Sequence, residues 1–234
     1  MSQEPLSDLA KATEEVAKTT GKMVDASREA GRFISRFIAG SLEQGMGIFE
    51  DKLKYIRWER QVRLMKKANQ LLNEIGLSEP NRAIPMKFAI PLLQAASMEE
   101  DDDLQNRWVN LLVNAANQNS GVDIQRAYID ILERLTSLEV KILDVIYSLP
   151  FATTQHDGIV TGQLPESATA YQRRNSGKED LKNPSEEVIL ALGNLARLGC
   201  LKVGGSWGGG EIFTHINPTV LGMKFVEACR IKHS

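Results

Sequence analysis

The chain's most conspicuous chemical feature is a run of five acidic residues, from Glu99 to Asp103. Spaced carboxylates can hold a divalent cation or transfer protons. Consecutive residues on a helix point about 100° apart, however, so these carboxylates do not converge on one ion. Carboxylates that precede a helix are stabilised by its free N–H groups. The run therefore predicts a helix N-cap, and an acidic patch facing a basic partner stays open as the alternative.

Other reactive side chains are scattered along the chain. The three histidines have no Cys or Ser nucleophile at a recognisable spacing; they are His156, His215 and His233. Cys200 and Cys229 match no zinc pattern and indicate reduced, buried thiols. The glycine-rich segment 204–210 lacks the Lys-Ser/Thr of a phosphate loop. We expect no catalytic residues, no cofactor and no metal, and hence a protein that is not an enzyme.

The overall composition is that of a soluble globular protein. The 234 residues include 28 basic and 30 acidic side chains, for a net charge of −2, and 42% are hydrophobic. A strongly basic nucleic-acid footprint is absent from this balance. No apolar run is long enough for a conventional membrane-spanning helix, and the polar first turn does not resemble a signal peptide. These features predict a cytoplasmic location.

Residues 1–50 are predicted to form an amphipathic helical segment. Their heptad pattern contains many small side chains, which bury little area, so the helix needs a partner. Near its end, four large apolar residues lie on one side: Phe33, Ile34, Phe37 and Ile38. Two hypotheses stay open for them. The segment docks on the rest of the same chain, or it meets a membrane surface or another copy of the chain.

Residues 51–149 are predicted to form the helical core. A long amphipathic helix near the N terminus ends at Gly76, and Pro91 suits the first turn of a short helix. After the acidic run, apolar residues recur on one helix face, at positions 104, 108, 111, 112 and 115. Two further helices follow over 123–135 and 137–148, with Ser137 as a candidate cap of the second.

The C-terminal part is predicted to hold a long loop and a winged-helix-like module. Residues 150–184 lack apolar periodicity and indicate a loop or insertion. Over 185–234 come a helix, a short β-hairpin with a glycine-rich tip and a last helix, an order that resembles a winged helix. The predicted fold class is therefore mainly α, a helical body with a winged-helix-like end.

The module offers two kinds of contact residue. Three basic residues of the loop could contact phosphates; they are Arg173, Arg174 and Lys178. Glu186 and Glu187, however, occupy the N-terminal end of the helix that would enter a DNA groove, and phosphates would repel them. A structural or protein-binding module therefore fits better than DNA binding. Trp207, alone among glycines, is a candidate partner or membrane anchor, or only a mobile tip.

Three segments of the chain resemble one known family: "PLLQAASMEEDDDLQNRWVNLLVNAAN", "YIDILERLTSLEVKILDVIY" and "INPTVLGMKFVEACR". They are similar to the abortive infection alpha (Abi-alpha) family, formerly a domain of unknown function. The likeness is clear over about 50–150 and at the C-terminal segment. The residues that carry it are Asp101, Asp102, Asp103, Trp108, Leu111, Leu112 and Asn114.

The resemblance implies prokaryotic antiviral defence, in which an infected cell stops growing or dies before phage are released. It brings no catalytic residues to this chain. We expect a homo-oligomer that acts through a host or phage protein, or through peripheral contact with the inner membrane, with nucleic acid a less favoured partner. A winged-helix DNA-binding regulator and an adaptor or scaffold protein stay open as alternative functions.

Overall fold

The structure, a computed structural model, describes residue 29 and residues 31–38, 58–171 and 181–231. These residues belong to two compact units, which divide between Met98 and Glu99. The described chain is mainly helical and contains a small four-stranded antiparallel sheet. The predicted mainly-α class is thus confirmed. The predicted segment limits at 50, 149 and 184 stay predictions.

The first unit contains a helical segment at 31–37, helix α1 (Trp58–Glu74) and helix α2 (Met86–Met98). As predicted, α1 is followed by Gly76, whose positive φ of 76° suits glycine. Pro91 lies inside α2, however, and not in its first turn. Pro85 precedes that first turn, and its carbonyl accepts hydrogen bonds from the N–H groups of Phe88 (2.9 Å) and Ala89 (3.0 Å).

The 31–38 segment docks on the rest of its own unit. Phe33 and Phe37 are 4% and 0% exposed, and their ring centroids lie 4.8 Å apart. The N–H of Ile84 donates to the carbonyl of Phe37 at 2.7 Å. The core of the unit thus covers these two phenylalanines, which favours the first of the two hypotheses for them, docking on the same chain. A membrane or self-association role for the segment stays a prediction. Ile34 and Ile38 are half-buried.

The second unit begins with helices and ends with a hairpin and a helix. Its helices are α3 (Asp102–Ala115), α4 (Arg126–Leu132), α5 (Ser137–Ile146), α6 (Phe151–Asp157), α7 (Glu186–Arg197) and α8 (Val220–Ala228), with a 3-10 turn at Gln118–Ser120. Its strands are β1 (Ile159–Val160), β2 (Thr169–Ala170), β3 (Leu201–Gly205) and β4 (Glu211–Pro218). The sheet order is β2-β1-β4-β3, with every pair antiparallel.

The core of the second unit lies between its helices. α3 contributes three side chains that are almost completely buried, Trp108, Leu111 and Leu112. α5 contributes Ile142, Leu143 and Ile146, and α7 contributes Leu192 and Leu195. α3 contacts α5 and α8, while α5 contacts α7. This packing follows from the helical spacing of the apolar residues in each element.

Part of the predicted 150–184 loop or insertion has regular secondary structure. Residues 151–170 contain α6, β1 and β2. β1 is only two residues long, and its neighbour β4 lies far along the chain, with Ile159 opposite Ile216. Such a short strand is stabilised by pairing with a distant segment, and the local sequence therefore shows no periodicity that would predict it.

A second local difference concerns the start of α5. Its N-cap is Thr136 and not Ser137. The Thr136 hydroxyl accepts from the N–H of Glu139, and the Glu139 carboxylate accepts from the N–H of Thr136 at 2.6 Å. This reciprocal arrangement is a capping box, which satisfies two free N–H groups at once.

Candidate functional site

The acidic run caps α3, as predicted. Oδ1 of Asp101 accepts from the N–H groups of Asp103 (2.9 Å) and Leu104 (3.0 Å). Its Oδ2 accepts from the hydroxyl of Ser137 at 2.6 Å. The Ser137 hydrogen bond, followed by the one from Leu104, lowers the pKa of Asp101 below its usual value of 3.8. Asp102 lies in the exposed first turn, as does Asp103.

The rest of the run is also directed at backbone. Oε1 of Glu99 accepts from the N–H groups of Glu100 (2.9 Å) and Asp101 (3.0 Å). Within the described ranges, no three His, Cys, Asp or Glu side chains are grouped so that they could hold a metal ion. The geometry of the run is that of a loop and helix start, in which carboxylates stabilise the chain's own N–H groups.

Two asparagines of α3 hold the end of α8. Nδ2 of Asn114 donates to the carbonyls of Ala228 and Arg230, both at 2.8 Å, and Nδ2 of Asn110 donates to that of Cys229 at 3.0 Å. The last carbonyls of a helix lack intrahelical partners, so side chains commonly satisfy them. Asn114, a motif residue, is thus a capping residue for a helix distant in sequence. No local sequence pattern predicts this role, because the two helices are 114 residues apart at this contact.

A charge cluster on the same face of α3 was also missed. Arg107 and Asp144 of α5 form an ion pair. Arg230, just after α8, forms a second one with Asp144 at 2.7 Å and also donates to its carbonyl at 3.2 Å. Because Arg107, Asn110 and Asn114 follow helical spacing, one stripe of α3 holds both α5 and α8. The signal in the sequence was that spacing of polar residues.

Burial controls the chemistry of several groups in this unit. The hydroxyl of Tyr147 donates to the carbonyl of Cys200 and accepts from the N–H of Thr219 at 3.1 Å. Burial raises the pKa of Tyr147 to about 12, and it does the same for the Cys200 thiol. Burial also raises the pKa of Cys229 well above its usual range. These thiols are therefore held protonated at neutral pH, as expected for inert cysteines.

Trp207 is fully exposed and lies on a hydrogen-bonded turn. The N–H of Ser206 donates to the carbonyl of Gly210 at 2.8 Å, and the N–H of Gly210 donates to the Ser206 hydroxyl at 2.9 Å. Gly209 has a φ of 81°, a conformation that side chains disfavour. The tip therefore presents a large apolar ring to solvent from a defined backbone.

α7 carries an exposed apolar residue that the sequence analysis did not single out. Ser185 caps the helix, as predicted, and its hydroxyl accepts from the N–H of Val188 at 3.4 Å. Leu190 is 70% exposed, on the side of α7 that also carries Glu186 and Arg197. On that side, Glu186 lies one turn before Leu190, and Arg197 lies two turns after it.

The remaining candidates are the loop basic residues and the three histidines, of which the structure describes only His156 and His215. Arg173, Arg174 and Lys178 lie outside the described residues, as does His233. The His215 ring stacks on Tyr171, with ring centroids 5.6 Å apart and an interplanar angle of 18°. His156 lies exposed at the end of α6.

Comparison with known proteins gives a match at the level of a family. A family model described as abortive infection alpha matches residues 59–229. Neither a curated protein nor a solved structure matches the chain. In the part of the chain that the structure describes, no helix combines the length and apolar character needed to cross a bilayer.

Proposed function

The chain belongs to the abortive infection alpha family, and from that premise we propose that it is a non-enzymatic phage-defence protein that acts through contacts. The family match extends over most of the chain and confirms the resemblance drawn from its motif residues. Family membership supports abortive defence in general. The contact-based mechanism is our own proposal, and it places the contact at a protein partner or at a membrane surface.

The observation that carries the contact mechanism is the exposure of Trp207. Exposure of the apolar surface of a tryptophan ring to water costs free energy, and burial of the ring at an interface removes that cost. The surrounding residues 204–210 carry no charge, so the tip can leave water without desolvating an ionic group. The Ser206 hydrogen bonds hold the backbone of the tip, which lowers the entropy cost of binding.

The family-motif residues support the same proposal because they are already engaged in holding the fold together. The Asp101 carboxylate and the Asn114 amide both hold backbone groups of the second unit. Leu111 and Leu112 are completely buried. Side chains that already satisfy the fold are poor candidates for chemistry on a substrate. We therefore assign the motif to stability and the exposed tip to recognition.

The decisive experiment is phage plating on a host that expresses the chain or its Trp207→Ala variant. We expect the chain to reduce plaquing, with collapse of the culture at high phage dose, and Trp207→Ala to restore plaquing. Val220→Ala is the matched control, because it also removes an exposed apolar side chain, 58% exposed on α8. Equal protection by the Trp207→Ala variant, at equal protein level, would exclude the tip as the contact.

We further propose that α5, α7 and the sheet form a winged-helix-like module. α7 precedes the β3–β4 hairpin, and β1 adds to the outer side of β4. That strand order supports the assignment and keeps DNA binding as the second candidate function. Against it, Glu186 and Glu187 occupy the N-terminal turn of α7.

Binding to duplex DNA tests this second candidate. Fluorescence anisotropy with a labelled duplex, measured over a series of salt concentrations, reports the number of phosphate contacts. We expect no salt-dependent binding, because the acidic turn of α7 repels phosphates. Binding that weakens steeply with salt would instead place the DNA-binding regulator ahead of the contact-based mechanism.

A further inference from the structure

The outer stripe of α7 has a self-complementary pattern. Four residues of the helix, Glu186, Leu190, Gly193 and Arg197, recur at intervals of four, three and four residues. With about 100° per residue they fall within about 60° of arc, on one side of the helix. In chain order, the stripe therefore consists of an acidic residue, a large apolar residue, a glycine and a basic residue. When two such stripes run antiparallel, the acidic residue of each lies opposite the basic residue of the other, and the apolar residue lies opposite the glycine.

We propose that two copies of the chain associate through antiparallel pairing of their α7 helices about a twofold axis. The axis passes midway between Leu190 and Gly193. In this register Leu190 of each copy faces Gly193 of the other, and Glu186 of each faces Arg197 of the other. A twofold interface is isologous, so every such contact occurs twice. This surface is distinct from the N-terminal segment 1–50 that the sequence indicates for self-association.

The apolar half of the pairing is supported by burial and by space. Leu190 is 70% exposed, whereas Val188, Leu192 and Leu195 of the same helix are buried and Ile189 is half-buried. A Cβ added at Gly193 would meet no atom within 4 Å. The helix therefore has a protruding side chain and, one turn along, an open position beside its backbone. Small residues of this kind allow two helices to approach closely.

The charged half is supported by preorganisation. The guanidinium of Arg197 is held by Asn194, whose Oδ1 accepts from Nε at 3.1 Å and from Nη2 at 2.6 Å. Nδ2 of Asn194 donates in turn to the buried carboxylate of Glu139 and to the carbonyl of Arg134. Arg197 keeps further donors for a carboxylate. Its position is thus fixed before a partner arrives, which reduces the entropy lost on binding.

The charge pattern also selects the partner. A second copy supplies one acid and one base in the reverse order, so both are paired at once. A phosphate backbone would be attracted by Arg197 but repelled by Glu186 and Glu187. One helix stripe is smaller than the roughly 800 Å² per partner of a standard interface. We therefore expect a dimer that dissociates on dilution.

The first test is sedimentation of the full chain over a wide concentration range. Gly193→Ala is the informative variant because its two effects have opposite signs. Alanine has a higher helix propensity than glycine, so the variant should unfold at a higher temperature. In the dimer the added methyl group occupies the space of the opposing Leu190, and dimerisation should weaken roughly tenfold. A purely local role for Gly193 predicts the first change without the second.

The second test exchanges the charges. Glu186→Arg alone, or Arg197→Glu alone, places like charges opposite each other twice and should weaken dimerisation at least roughly tenfold. The double variant Glu186→Arg plus Arg197→Glu should restore it. Glu187→Arg is the matched control, since it introduces the same charge in the same helical turn but outside the stripe.

Two results would overturn the proposal. One is a monomer at every concentration. The other is a dimer that tolerates the single charge exchanges and Gly193→Ala; if deletion of 1–50 then dissolves it, self-association belongs to that segment. These mass measurements stand apart from phage plating. Failure of the α7 pairing and failure of the defence function therefore give different results.

Discussion

α3 and α7 are both amphipathic helices of the second unit, but they use their polar and apolar residues in opposite ways. On α3, Asn110 and Asn114 hold the carbonyls at the end of α8, and the apolar face is buried. On α7, Leu190 is exposed between an acid and a base. The asparagines of α3 thus bind other parts of the same chain. α7 instead exposes an apolar residue flanked by opposite charges.

The contrast shows how a family motif and a functional surface can lie on different helices. The α3 motif satisfies backbone groups that would otherwise be unpaired, which every folded copy needs. Leu190 and Trp207, by contrast, are large apolar side chains of the second unit that lie exposed to solvent. Substitutions of the buried or hydrogen-bonded residues of α3 and α8 should therefore affect folding, whereas those of the exposed residues of α7 and the tip should affect association.

The sharpest test compares two helical glycines. Gly222 of α8 has the hydroxyl of Tyr147 and the carbonyl of Cys200 in the space where a Cβ would lie. We expect Gly222→Ala to lower the free energy of unfolding by about 3 kcal/mol, because backbone must shift to accept the methyl group. Urea denaturation measures the change, with Gly193→Ala as the control that should not destabilise. Equal responses of the two variants would break the comparison.

The next effect concerns the capping asparagines. Asn114→Ala removes two hydrogen bonds, to the carbonyls of Ala228 at the end of α8 and of Arg230 just after it. The position is 6% exposed, and the loss should cost about 2 kcal/mol of unfolding free energy. Asn110→Ala removes one such bond and should cost about 1 kcal/mol. Thermal and urea unfolding of both variants gives the ratio. If Asn114→Ala is neutral, α3 does not hold α8 in the way described.

The smallest effect is a pH dependence at the start of α3. The folded chain lowers the pKa of Asp101, chiefly through the Ser137 hydroxyl, so the ionised carboxylate favours the folded state. That contribution is present above the unfolded pKa and is lost as pH falls through the lowered folded pKa. Asp101→Asn should therefore unfold at a lower temperature than the unsubstituted chain near neutral pH, and the gap should narrow in acid.

Ser137→Ala provides the control for this titration. It leaves the carboxylate and its hydrogen bonds to backbone in place but removes the main cause of the lowered pKa. The melting temperature of Ser137→Ala should therefore depend less on pH, in acid, than that of the unsubstituted chain. Melting temperatures of the three proteins over a pH series decide the matter. A gap between the unsubstituted chain and Asp101→Asn that does not change with pH would contradict the Asp101 assignment.

The sequence predicted features that depend on neighbouring residues. The acidic run before an apolar helix indicated an N-cap, which the structure places at Asp101, and Ser185 indicated the start of α7. The cap of α5 was readable as well, because Glu139 follows Thr136 at the capping-box spacing. Ser137, being adjacent and also hydroxylic, obscured it; its hydroxyl bonds Asp101 instead.

Features that depend on distant residues were not predictable. Asn114 is separated from Ala228 by 114 residues, so no local pattern links them. β1 is two residues long and is defined by its pairing with β4. Burial of Phe33 and Phe37 was one of two open hypotheses, because an apolar helix face has the same pattern whether it meets its own chain or another surface.

The hold of α3 on α8 has a consequence for the order of events during synthesis. Of the helices described in the second unit, α3 leaves the ribosome first and α8 last. The amides of Asn110 and Asn114 therefore lack their carbonyl acceptors until α8 has been synthesised. Until then, the face of α3 that packs on α8 is uncovered. Contacts of such long sequence separation form slowly. A nascent second unit therefore exposes apolar surface until α8 emerges, and it is during that interval that chaperones would bind it.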